Sequence, residues 1–258
     1  MKRIHLFEFE DLNWLPAFLR HYVTDFLQFM SNKLNIFKNI ITIIEKGISK
    51  SSNNYIIDLA SGSGGGWIGI EKELKKKNIE ISILLTDFYP NIAAFKDIKE
   101  KSEHFNYIDY PVNAMNVPKT LKGLRTQFLS FHHFKPADAK KILQNAVDDK
   151  SPIAIFEAQE RSFTSIMSML FSPISVLAFT PFIKPFKLKR LIFTYVIPIV
   201  PFIVLWDGIV SSLRTYSIEE MNGLVSELED TNSFEWETGR VKSGPGYVLY
   251  LLGYPKGK

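Results

Sequence analysis

Apolar side chains recur at helical spacing over residues 14–30, with Phe18, Tyr22, Phe26 and Met30 on one stripe and Leu15, Leu19 and Val23 beside it. That period predicts an amphipathic helix, and residues 35–48 read as a second. Beyond them the pattern changes to short, mostly apolar runs at 55–58, 81–86 and 153–156, with a further run at 126–131 and a weaker one at 105–108. Helical patterns at 67–77, 91–101 and 136–147 alternate with these runs. Short apolar strands separated by helices predict a doubly wound, mostly parallel α/β sheet. A further helix is expected at 218–228, and strands at 234–241 and 247–253 would close the sheet as a final pair.

Between the fifth strand and that last helix the pattern fits neither element. Residues 162–183 carry no charge over 22 positions, a basic turn holding Lys184, Lys187, Lys189 and Arg190 follows, and 191–206 is again uncharged over 16. The first run meets the length of a membrane span and the second is marginal, but prolines at 173, 181, 198 and 201 break both. A spanning hairpin would put four basic residues on the far side of the membrane, against the positive-inside tendency. Two readings fit better: a hairpin at one leaflet with its basic turn at anionic headgroups, or an insertion that walls a hydrophobic pocket. Both imply a small hydrophobic or lipid-like acceptor. The expected organisation is an N-terminal helical cap (1–50) and one α/β domain (51–258) interrupted by the insertion at 162–206.

Composition narrows the setting. The 258 residues suffice for a full core, and 46% hydrophobic with 22% charged residues is ordinary for a folded chain. Cysteine is absent, which excludes disulfides and thiolate metal sites and favours a reducing, cytoplasmic setting, at the inner face of a membrane if the insertion meets lipid. No other metal ligand set is assigned. Glu8, Glu10 and Asp11 stand where a signal peptide would be apolar. The net charge of +4 is modest, and no interleaving of basic and stacking aromatic residues points to nucleic acid.

The chemistry begins where the first strand must turn into a helix, at Asp58-Leu59-Ala60-Ser61-Gly62-Ser63-Gly64-Gly65-Gly66. Such a turn needs backbone angles closed to most residues and close approach of a ligand, and the N–H groups of the following helix can hold an anion. Asp87, at the end of the second strand, stands 21 residues after Gly66, the position from which an acid accepts ribose hydroxyls. Asp-x-Ala-x-Gly-x-Gly after the first strand resembles the signature of class I S-adenosylmethionine (SAM)-dependent methyltransferases. The likeness extends through Thr86-Asp87-Phe88-Tyr89-Pro90-Asn91, Val112-Asn113-Ala114-Met115 and the fourth strand. Ala60 departs from the usual first glycine, and Asn113 from the usual Asp.

The resemblance implies a Rossmann-like sheet with a reversed last strand, SAM as cofactor and a methyltransferase activity. It places Asp58, Ala60, Gly62 and Gly64 around the methionine moiety, Asp87 with Phe88 at the ribose-binding loop, and Asn113 with Ala114 at the adenine. His132 and His133, read as ending the fourth strand, are candidate bases for an acceptor that must lose a proton. Trp206, Asp207, Arg214 and Tyr216 form a polar and aromatic run after the insertion, open to substrate binding or to mutual pairing. Trp14 and Arg20 are candidates for a lid carried by the first helix. A non-catalytic adaptor that keeps the cofactor fold is the alternative of a different class.

Overall fold

The computed structural model of the chain describes residues 1–256. Seven strands form one sheet: β1 (Tyr55–Leu59), β2 (Ser82–Leu85), β3 (Phe105–Tyr107), β4 (Leu124–Phe128), β5 (Ile153–Glu157), β6 (Phe234–Ser243) and β7 (Gly246–Pro255). Their order is β3-β2-β1-β4-β5-β7-β6. The first five are parallel, and β7 runs antiparallel to both β5 and β6. The short runs expected as strands are all present, as is the reversed closing pair. Chain order reverses between β1 and β4, so a crevice opens over the carboxyl ends of these strands, where ligands bind in open α/β sheets.

Helices cover both faces of the sheet, and the central strands are buried on both sides. On one side α2 (Ile41–Ser49), α3 (Trp67–Lys76) and α4 (Ile92–Lys99) bury Ile44, Trp67, Ile70, Leu74 and Phe95 against Ile56, Ile83 and Phe156. On the other, α5 (Pro136–Asp148) and α10 (Ile218–Ser226) bury Ile142, Leu143 and Met221 against Ile57, Ile155 and Leu251. Local signals set the ends. The Asn91 side chain accepts from the Ala94 N–H to start α4, and Ser217 with Glu220 forms a reciprocal capping box on α10; each such cap stabilises by about 1 kcal/mol.

The first helix, α1 (Ala17–Lys33), runs a turn further than the apolar stripe. It stops because Asn35 adopts φ +49°, with the Asn35 and Ile36 N–H groups donating to the Asn32 and Ser31 carbonyls. That left-handed stop is why the second helix begins at Ile41 and not near residue 35. The fourth strand also ends early: Leu129 has φ +51°, and the next residues form a 3-10 turn, Phe131–His133. His132 and His133 therefore sit on the turn past β4 and not in the strand.

The insertion is helical. It comprises α6 (Phe163–Leu170), α7 (Ser172–Phe179), α8 (Leu188–Leu191), a π-turn (Ile192–Val196) and α9 (Ile199–Arg214). The last helix takes in the run from Trp206 to Arg214 that follows the apolar stretch in sequence. Val176, Val200, Ile203 and Val204 pack against Leu19, Tyr22, Val23 and Phe26 of α1, forming a third apolar cluster outside the sheet. Among the described residues no single helix is long and apolar enough to cross a membrane. Two bent pairs reach that length only in sum, with bends of 42° and 74°.

Candidate active site

The glycine-rich turn after β1 takes up the backbone its sequence calls for. Ala60, Gly62 and Gly64 have φ of +53°, +56° and +88°. At Gly64 the positive φ favours glycine, and an added Cβ would stand 2.2 Å from Ile98 Cδ1 and displace that methyl. The turn borders a cavity of about 280 Å³, near the lower edge of the roughly 300–1,000 Å³ usual for small-molecule sites. Of the residues the resemblance placed at the cofactor, Ala60, Gly62, Asp87 and Phe88 line this cavity. Asp87 accepts from the Gly62 N–H at 2.7 Å and, through its other oxygen, from the Tyr89 N–H at 2.7 Å. Each carboxylate oxygen keeps a second lone pair for a ligand hydroxyl. Burial raises the Asp87 pKa, and these two backbone donors oppose the rise.

Asp58 lies beneath the turn, 2% exposed, with its Oδ1 accepting from Thr126 Oγ1 at 2.7 Å. Burial pushes its pKa up to about 6 despite that bond. Gly64 shapes the turn without bordering the cavity. Asn113 and Ala114 are also set back from the walls: Asn113 Oδ1 accepts from the Met115 N–H at 2.9 Å, and Ala114 packs into the core beside α5.

The second wall comes from the N-terminal segment, and most of it was not legible as a site. Polar residues on α1 are tied to the glycine turn. Thr24 Oγ1 lies 2.7 Å from Ser63 Oγ, and Gln28 Nε2 donates to the Ser63 carbonyl. Asn32 donates to the Gly65 carbonyl and accepts from the Gly69 N–H, each at 2.8 Å. The four-residue spacing of Thr24, Gln28 and Asn32 along one face of the amphipathic helix was the signal available. Asp25 is the hub. It accepts from Ser63 Oγ at 3.0 Å, Lys187 Nζ at 2.9 Å and Arg190 Nη1 at 3.0 Å, linking turn, α1 and insertion. Two of the four basic residues expected to face headgroups are thus turned inward, Arg190 with 1% exposure; Lys184 and Lys189 remain exposed.

The remaining candidates divide. Arg20 lines the cavity, donates to the Glu10 and Leu12 carbonyls, and stacks 4.5 Å from the Tyr89 ring. Trp14 is exposed and contributes no cavity wall. Trp206, Asp207 and Arg214 seat the N-terminal segment. Trp206 Nε1 donates to the Phe7 carbonyl, Asp207 accepts from the Phe9 and Glu10 N–H groups, and Arg214 reaches Asp11 at 2.6 Å and the Leu6 carbonyl. Tyr216 is buried, with its hydroxyl on the Phe134 carbonyl and Arg3 stacked 4.0 Å from its ring.

His133 lines the cavity with its Nδ1 at 2.7 Å from Asp11 Oδ1; His132 lies behind it, 2% exposed. Burial opposes a charge on His133, but Glu8, Asp11 and Glu10 outweigh it and raise its pKa to about 10. Burial and the neighbouring acids push Glu10 up to about 8 and Asp207 up to about 7. Acidic groups are crowded here.

No family model matches the chain, and no curated protein sequence is similar to it. Among solved structures it is similar to the plantazolicin methyltransferase BpumL in complex with SAH, at 12% identity and a TM-score of 0.50 over 96% of this chain and 88% of that one. A structure from Methanococcus maripaludis described as an S-adenosyl-L-methionine-dependent methyltransferase gives 14% identity and a TM-score of 0.50, with 90% of each chain covered. LepI, solved with SAH and a substrate analogue, gives 14% and 0.50 over 83% of this chain but 46% of its own. At these identities the likeness is one of fold. With the strand order and reversed β7, the fold is that of the class I SAM-dependent methyltransferases.

Proposed function

We propose that this chain transfers a methyl group from SAM to a small, largely apolar acceptor, and that its insertion meets the inner face of a membrane. The observation that carries the first part is the switch-point cavity, onto which the glycine turn, Asp87 and Phe88 converge. In this reading Asp58, Ala60, Gly62 and Gly64 form the methionine end, Asp87 and Phe88 hold the ribose, and the adenine extends toward Asn113 and Ala114. Leu27, Phe128, Leu129 and Phe134 in the walls favour an acceptor with an apolar body.

Methyl transfer is an in-line displacement: the acceptor–carbon bond forms as the sulfur–carbon bond breaks, and the sulfonium becomes a neutral thioether. Positioning and exclusion of water supply most of the rate in such a step, and α1 lies over the turn to provide both. Of the two histidines, His133 borders the cavity and is the one placed to meet an acceptor, together with Arg20.

The membrane part rests on the insertion's surface. Phe163, Phe171, Ile174, Phe182, Phe186, Leu188 and Val196 are exposed, as is Trp14 on the N-terminal segment. Lys184 and Lys189 stand among them, each supplying about 1 kcal/mol at an anionic surface. The test of the cofactor site is calorimetric titration of SAM and SAH. Asp87→Ala removes the ribose acceptor, worth roughly 1.5–3 kcal/mol per charge-assisted bond, so affinity drops at least about tenfold. Unchanged affinity in that variant would refute the site. Tight SAM binding without turnover on any lipid or small-molecule extract would instead favour a binding protein on this fold.

A further inference from the structure

We infer that Glu8, His132 and His133 form a binding site for a divalent first-row transition-metal ion. Glu8 is 1% and His132 2% exposed; His132 Nε2 has no hydrogen-bond partner, and Glu8 accepts no hydrogen bond, its Oε1 lying in an ion pair 3.1 Å from Arg214 Nη1. A ring nitrogen left unpartnered at such depth is costly unless something binds it, and the three side chains converge. They are aimed at one another: His132 Nε2 is 3.8 Å from Glu8 Oε1, and His133 Nδ1 is 3.5 Å from Glu8 Oε2. One donor atom from each of the three lies within 4.8 Å of the other two. An ion with ligand bonds of about 2.0–2.2 Å holds its donors roughly 3.0–3.6 Å apart, so a modest contraction closes the set.

The surroundings are built as metal sites are. His132 Nδ1 stands 2.9 Å from Glu157 Oε2, and Glu157 is held in turn by the His132 N–H at 3.0 Å and Gln159 Nε2 at 3.1 Å. A carboxylate on one ring nitrogen fixes the tautomer and turns the lone pair of the other toward the ion. Five carboxylates (Glu8, Glu10, Asp11, Glu157 and Asp207) meet in this region and outnumber the arginines beside them: Arg214 pairs with Glu8 and Asp11, Arg3 donates to the His132 carbonyl and Arg20 to the Glu10 carbonyl. Two imidazoles and one carboxylate suit zinc, iron, cobalt or manganese better than calcium. Because His133 also lines the cavity, the ion adjoins it and can take an acceptor oxygen as a further ligand. That consequence rests on the methyltransferase reading; the binding itself does not.

The full-length protein, stripped with chelator, is titrated with Co²⁺ and, by calorimetry, with Zn²⁺. The expected result is one equivalent bound, with visible ligand-field absorption from Co²⁺. Glu8→Gln and His132→Gln each weaken binding by at least about 100-fold and Glu157→Gln by about 10–100-fold. SAM affinity, titrated on the same samples, reports the cofactor site separately. No stoichiometric binding by the wild type, or equal affinity in the Glu8 and His132 variants, overturns the site. Should those variants not fold, imidazole NMR of the wild type decides. Co²⁺ shifting His132 and His133 supports the site, and Co²⁺ shifting only His5, His21 or His104 overturns it.

Discussion

Replacing Asp58 by Asn separates what this carboxylate does for a ligand from what it costs the unliganded fold. The side chain is 2% exposed, and burial moves its pKa from 3.8 to about 6. Two units of difference between unfolded and folded chain, at about 1.4 kcal/mol each, amount to about 3 kcal/mol. The sign follows from the direction of the shift. An acid whose folded-state pKa is raised favours the protonated form, so its contribution is fully present below pH 3.8 and is lost as the pH climbs toward about 6. Above that the folded protein carries a buried anion. Asn keeps an oxygen to accept from Thr126 and removes the charge. Relative to wild type, the variant therefore gains roughly 2 kcal/mol between about pH 4 and about pH 7.5. With an unfolding entropy of about 2.1 cal/mol/K per residue, that is a melting temperature higher by about 4 °C. Calorimetric melts at both pH values measure the offset, and a general packing change cancels in the difference. On the proposed reading, with the methionine end of SAM at Asp58, saturating SAM should narrow the gap at the higher pH. An offset of the same size at both pH values would falsify the assignment of the buried charge to Asp58.

Asp25→Ala removes the counter-ion of fully buried Arg190 and of Lys187 and frees Ser63 in the glycine turn. Denaturant melts should show a loss of roughly 3–5 kcal/mol together with weaker SAM binding, and a loss below about 1 kcal/mol would mean that the hub is dispensable. The double variant Lys184→Gln, Lys189→Gln should lower partition onto anionic liposomes by about 2 kcal/mol, as read by co-sedimentation, with salt acting in the same direction. A wild type that stays in solution beside such liposomes at low salt removes the membrane reading and leaves the insertion as a pocket wall.

Much of the architecture is written locally. Burial on both faces makes β1 and β5 short, mostly apolar runs, and burial on one face gives α3 and α5 their 3.6-residue period, so most of the strand and helix order can be read without the fold; β4, Leu-Arg-Thr-Gln-Phe, is buried although its middle is polar. The glycine turn and Asp87 are legible for the same reason: each is demanded by its own backbone position at the end of a strand. What the sequence could not determine are pairings between segments far apart in the chain. Glu8 meets His132 and His133 across more than 120 positions, and Asp25 meets Arg190 across 165. No local pattern marks either. A basic cluster looks alike in sequence whether its cations face water or a buried acid, and α1 decided the matter by placing Asp25 beneath Lys187 and Arg190. Asn113 was placed by its motif, yet the turn it makes with Met115 sets it back from the cavity. Periodicity records which face of an element is buried, but not which element covers it; that choice belongs to the packed tertiary structure.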